Sequence, residues 1–86
     1  MQTTRADGKR KKRILERFGT RVRELRTKRG WTQEELGERA QRHWTYIGGI
    51  ERGERNITLQ VVEDIARALG VRVRDLFDAS RESKAE

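Results

Sequence analysis

The chain has 86 residues, the size of one small domain. It holds no cysteine and one histidine, which excludes disulfide staples, thiolate zinc sites and His-rich metal centres. Charged residues are 41% of the chain and apolar ones 33%, and the formal net charge of +7 gathers at one end: twelve of the 21 Lys/Arg but three of the 14 Asp/Glu lie in the first 31 residues. A basic end of this kind points to a polyanionic partner, usually nucleic acid, or to a solubilising tail.

Residues 1–13 carry Arg5, Lys9, Arg10, Lys11, Lys12 and Arg13 with almost nothing apolar. The composition predicts a disordered basic arm, because ordering it buries nothing that offsets the entropy. The folded domain is expected over 14–78, and 79–86 is expected to be a polar tail. A first helix is predicted from about Ile14 to Arg29, since Leu15, Phe18, Val22 and Leu25 fall three and four apart on one stripe. Arg17, Arg21, Arg23, Arg26 and Lys28 lie off that stripe. Gly19 weakens the interior slightly, and Gly30 supplies the stop.

Thr32 and Glu35 form the pattern of a capping box at the head of a short second helix, about Thr32 to Ala40. Trp31 and Leu36 are placed for a hydrophobic staple, so Trp31 is read as core. Gly37 is read as a small residue that lets two helices touch, and Gln41 as a turn residue strained if its backbone is left-handed. A third helix is predicted over roughly Trp44 to Arg52, with Ile47 and Ile50 inward and Gly53 as its stop. Gly48 and Gly49 inside it suggest close approach to DNA or to another helix, each costing about 1 kcal/mol relative to alanine. Thr58 caps a fourth helix whose apolar face is Leu59, Val62, Ile65, Ala66 and Leu69, stopped at Gly70. A short fifth helix is predicted over Arg72–Phe77, burying Val73, Leu76 and Phe77. No strand-period run appears.

Two short helices joined by a tight turn in a basic, all-helical domain suggest a helix-turn-helix unit or an ordinary small bundle. In the first case the second helix of the pair enters the DNA major groove.

From Phe18 to Phe77 the chain resembles the Cro/C1-type helix-turn-helix family of phage repressors and small bacterial regulators. The stretches that carry the likeness are RVRELRTKRGWTQEELGERA, YIGGIERGERN and IARALGVRVRDLF. HWTYIGGIERGERN looks most like the restriction-modification controller proteins. The resemblance implies an all-α, five-helix, lambda-repressor-like DNA-binding domain. It implies a dimeric, sequence-specific regulator of transcription on a palindromic operator, controlling a restriction-modification, plasmid or phage operon and its own promoter. Cytoplasmic location, at the bacterial nucleoid, is the matching expectation, since no apolar run is long enough to span a membrane.

The same resemblance implies roles by position. His43, Trp44, Thr45 and Gly48 match base-facing positions of the recognition helix. Gln33, Arg42, Tyr46, Arg52, Arg55 and Asn56 match phosphate contacts. Most have a plainer reading. His43 can cap the helix, and one residue can do both jobs. Thr45 can hydrogen-bond a base, pack its methyl on a thymine, or face water. Trp44 stands where a polar residue is common and can pack in the groove, fold back, or touch another protein chain. Gln33 can be a solvated surface residue, and Tyr46 partial core. Arg52 can pair with Glu51 or Glu54, and Glu51 is read as a structural acid because phosphate repels it. Leu69, Val71, Val73, Leu76 and Phe77 supply a homodimer contact or close the monomer.

The expected partner is double-stranded DNA, with the basic arm adding affinity through phosphates. No enzyme activity, cofactor, metal, membrane or small-molecule ligand is expected: there is no nucleophile–base pair, metal cluster or phosphate loop. The alternative is a protein-interaction module such as an antitoxin or bridging factor, because fold does not fix function.

Overall fold

The computed structural model describes residues 4–77. Helix α1 spans Thr4–Lys28, α2 Gln33–Ala40, α3 Trp44–Glu51 and α4 Leu59–Leu69, and a 3-10 turn follows at Val73–Leu76. Among the described residues all regular structure is helical, as the sequence predicts, and no helix is long and apolar enough to cross a membrane. Among the described residues the α-helices number four rather than five.

Two expectations are corrected at the ends. The segment expected to be a disordered arm is helical from Thr4 onward, as the first turns of α1. Nucleation is the costly step of helix formation. Once the apolar stripe of α1 has docked, each further residue adds a hydrogen bond at little cost, and Arg and Lys are good helix formers. Residues 1–3 and the expected tail at 79–86 lie outside the described residues. At the other end, the expected fifth helix is a single 3-10 turn. It is held at both sides, by Arg72 N–H donating to Asp75 Oδ2 (3.0 Å) and by Arg21 Nε donating to the Asp75 carbonyl (2.7 Å). One such turn is enough to bring Leu76 into the core.

The core joins Phe18, Val22 and Leu25 of α1 to Leu36 and Ala40 of α2, Ile47 and Ile50 of α3, and Val61, Val62, Ile65, Ala66 and Leu69 of α4. Trp31, Tyr46 and Val71 pack on its edge. Leu59, placed by periodicity on the apolar face of α4, is instead 85% exposed, because the buried face of that helix begins only at Val61. Helix α3 is held between α1 and α2. Its crossing with α1 is close enough that a Cβ on Gly19 would strike the carbonyl oxygens of Ile50 and Glu51. Gly19 is therefore a contact residue, and its helix-weakening cost permits the approach.

A buried ion pair closes the same crossing. Arg26 Nε donates to Glu51 Oε2 at 2.6 Å and Nη2 to Oε1 at 3.0 Å, a two-pronged pairing. Its third nitrogen, Nη1, donates to the Trp31 carbonyl at 2.6 Å. The Glu51 side chain is 3% exposed, in line with its reading as a structural acid. Removing one partner leaves the other charged and buried. Glu51→Ala is therefore expected to lower unfolding free energy by about 3–5 kcal/mol. Urea denaturation measures this, and a loss under about 1 kcal/mol would show the pair to be hydrated rather than buried.

Candidate nucleic-acid interface

The unit formed by α2, the turn and α3 is built from local signals. Thr32 Oγ1 accepts from Glu35 N–H (3.0 Å) while Glu35 Oε1 accepts from Thr32 N–H (2.8 Å), the reciprocal cap expected from the sequence. Trp31, ahead of the cap, is half-buried against the core, with the Arg39 guanidinium 4.1 Å over its ring. Gly37 sits against the turn: a Cβ there would meet the Arg42 carbonyl oxygen at 2.5 Å. The two helices approach because this position has no side chain.

Gln41 carries the reversal of direction, with φ 58° and ψ 45°, the one non-glycine residue at positive φ among those described. Its N–H reaches the Glu38 carbonyl at 3.3 Å, and Arg42 N–H that of Gly37 at 2.8 Å, so the end of α2 is satisfied. Arg42 then locks the turn to α4, with Nη2 donating to Asp64 Oδ2 at 2.8 Å and Nη1 to the Gln41 carbonyl at 3.1 Å. A hydrogen bond from Gln60, then the Arg42 charge and the bonds from Arg42 and Arg67, hold the Asp64 carboxyl below its usual range. Arg42, matched to a phosphate contact by resemblance, is thus committed to an internal brace.

His43 caps α3, its Nδ1 accepting from Thr45 N–H at 3.2 Å. Trp44 follows, 47% exposed, its ring stacked on that of His43 at 5.9 Å between centroids. Thr45 is exposed beside them. These three form the free end of α3. Gly48 does not join them. It is buried, and a Cβ there would lie 3.1 Å from Arg52 Nη1 and 3.3 Å from Gln33 Oε1. The helical period turns position 48 under those side chains, so its reading as a base-facing residue is corrected to a seat for Gln33 and Arg52. Gly49 is likewise covered by Arg55.

The polar rim has two kinds of member. Gln33, at the start of α2, is half-buried and donates Nε2 to Glu51 Oε1 at 3.0 Å, which joins it to the Arg26 pair. Arg55 lies 4.9 Å over the Tyr46 ring, itself half-buried. Arg52 pairs with Glu54 at 3.0 Å, both exposed, in keeping with the plainer reading of that residue. Asn56 is exposed in the loop after α3, and Lys11 and Lys12 of α1 line a shallow hollow with Gly53, Glu54 and Asn56. The basic end of the chain therefore stands beside this loop. Sequence reasoning missed that placement, and missed Arg21, Arg26 and Asp64 as internal braces. Periodicity cannot distinguish a charged residue at the margin of an apolar stripe from a solvated one.

The expected dimer set divides. Leu69 and Leu76 are fully buried in the monomer, so these two are corrected to core residues, while Val71 is partly buried against the core. Val73 and Phe77 stay largely exposed, and Ile14 shares a groove with Phe77. Among the described residues no cluster of His, Asp and Glu could hold a metal ion.

A family model described as a helix-turn-helix domain matches residues 17–79. The chain belongs to the helix-turn-helix family of regulators. It is 47% identical over 62 residues to the control protein C.BamHI of Bacillus amyloliquefaciens, covering 71% of this chain and 76% of that one. It is similar in structure to the restriction-modification controller protein C.AhdI of Aeromonas hydrophila, with TM-score 0.72 and 44% identity over 73% of this chain and 96% of the other. The controller protein C.Esp1396I, solved as a tetramer in complex with its natural 35 base-pair operator, matches with TM-score 0.72 and 32% identity over 80% of this chain and 91% of that one.

The left-handed turn residue yields a test. A glycine at position 41 carries no Cβ penalty, so Gln41→Gly is expected to stabilise the fold by about 0.5–1 kcal/mol. Thermal unfolding measures it, and a destabilised variant would show that the Gln41 side chain is held in place by contacts of its own.

Proposed function

We propose that this protein is a sequence-specific transcription regulator that binds an operator as a two-fold dimer and controls a restriction-modification operon, including its own promoter, in the cytoplasm at the nucleoid. The observation that carries the reading is the free end of α3, where His43, Trp44 and Thr45 project from a helix braced on three sides. A helix held this way can enter the major groove without reorganising, and its first turn reaches base edges. Gln33, Arg55 and Asn56 flank it as donors to phosphate, and Arg52 is exposed for the same use. Such contacts fix register, and the base contacts then specify sequence.

A two-fold pair places its two recognition helices about 34 Å apart, one turn of the duplex. Val73 and Phe77 are the exposed members of the predicted dimer set, and Ile14 extends that apolar surface. The positive end of α1 adds a sequence-independent attraction. The control protein and controller relatives support the operon assignment. The exposed indole of Trp44 favours a second reading, a surface that binds a protein, since tryptophan is enriched at such interfaces.

Trp44→Ala separates the two readings. Specific operator affinity is expected to fall by about 1–3 kcal/mol if the indole packs in the groove. Fluorescence anisotropy on the chain's own upstream DNA measures it, and equal binding by a folded variant would move Trp44 out of the DNA interface. Lys11→Gln with Lys12→Gln is expected to reduce the slope of log K against log salt by about 2, near 0.9 for each phosphate left without its cation, with site preference unchanged. An unchanged slope would remove the α1 extension from the DNA surface.

A further inference from the structure

The groups at the free end of α3 are coupled in a way that fixes their hydrogen-bonding sense. His43 Nδ1 lies 3.2 Å from the Thr45 backbone nitrogen and 2.8 Å from Thr45 Oγ1. A backbone N–H donates and cannot accept, so Nδ1 must carry a lone pair. The proton of the neutral imidazole is then on Nε2. With Nδ1 an acceptor, the short contact to Thr45 Oγ1 has one consistent assignment, in which the hydroxyl donates to the ring. That uses the single proton of Thr45 Oγ1 and leaves only lone pairs. Stacking of Trp44 on the imidazole, 28° from parallel, helps to hold the ring in this orientation.

We infer that His43 and Thr45 form a reader of fixed polarity, in which His43 presents one donor, Nε2–H, and Thr45 presents an acceptor only. The inference rests on the DNA-binding reading above and adds base specificity to it. In the major groove the exocyclic amino groups of adenine and cytosine are donors, whereas guanine O6 and thymine O4 are acceptors. Thr45 therefore selects adenine or cytosine at its position and rejects a keto group, which would face its lone pairs. The donor of His43 takes a purine N7, a keto oxygen or a phosphate oxygen. Without the cap the threonine hydroxyl would rotate freely and serve either sense, so the N-cap and the specificity are one arrangement. The pairing of a capping His with a Thr two residues on is a local pattern, and it assigns the reading sense without any contact to a distant element.

Two measurements test it. The chain has one histidine, so its ring nitrogens give a single set of signals. Long-range proton–nitrogen correlation on the free protein, with the imidazole neutral, is expected to show the Nε2–H form. The Nδ1–H form, or an even mixture of the two, would overturn the inference. Selection of operator half-sites from a random pool is expected to give adenine or cytosine at one position that depends on residue 45. Thr45→Val keeps the shape and removes the acceptor, and is expected to reduce the preference for the amino base over thymine about tenfold. His43→Gly keeps a residue that the N-cap tolerates but leaves nothing to take the Thr45 proton. It is expected to blur the same position while circular dichroism stays unchanged. A wild-type motif with thymine or guanine there, unaffected by Thr45→Val, would overturn this inference alone. No enriched motif at all would overturn the DNA-binding reading, and the base-reading role with it.

Discussion

The Arg26–Glu51 pair fixes the geometry on which the rest depends. Arg26 sits near the end of α1, Glu51 at the end of α3, and the Trp31 carbonyl on the segment that leads into α2. Gln33 at the start of α2 donates to the same carboxylate. One ionic node therefore ties three helices at a single point. Two buried charges with their hydrogen bonds satisfied add little net stability over an apolar replacement, but they strongly penalise any arrangement that separates them. The node thus sets the angle of α3 more than it sets the depth of the folding well. Gly19 works in the same place by a different means, allowing the backbone of α3 to lie against α1.

From this node the recognition unit is braced at both ends. Its lower end is held by Glu51, and its upper end by the turn, where Arg42 reaches across to Asp64 of α4. Neither brace involves the first turn of α3. That turn, the surface proposed to meet DNA, is consequently aimed from elsewhere and unburdened by packing. The long basic helix adds charge beside the loop at 53–56, so the basic residues of α1 and the exposed turn of α3 lie on separate elements. A buried hub with an exposed tip is what binding without induced folding requires, since less order has to be created at the moment of contact.

Much of this is legible in the residues. The capping box at Thr32 and Glu35, the seat of Gly37 and the strained Gln41 follow from chemistry acting over a few residues, whereas the structural reading of Glu51 comes from the repulsion between a carboxylate and phosphate. The helix order and the resemblance over residues 18–77 locate the recognition helix. The misreadings share one cause, which is that helical period and composition do not report what lies opposite. Gly48 falls under Gln33 and Arg52, Leu69 and Leu76 are absorbed by the monomer, and Leu59 stands in solvent. Arg21 and Arg26 look like solvated charges in a sequence rich in arginine, yet both are buried. The basic arm departs from expectation for a related reason: composition predicts whether a segment can fold alone, not whether a docked helix will extend into it.

The exposed first turn of α3 has a consequence for how such a protein can diverge. His43, Trp44 and Thr45 contribute nothing to the core, and the braces that aim them lie elsewhere. Substitutions at these three positions therefore leave the folding reserve nearly intact, apart from the cap that His43 provides. Surface substitutions away from buried features usually cost little stability. If these three residues read the operator as proposed, the preference can be rewritten in three codons while the scaffold stays the same. Two copies of such a gene in one cell could separate into independent circuits before any change reached the interior.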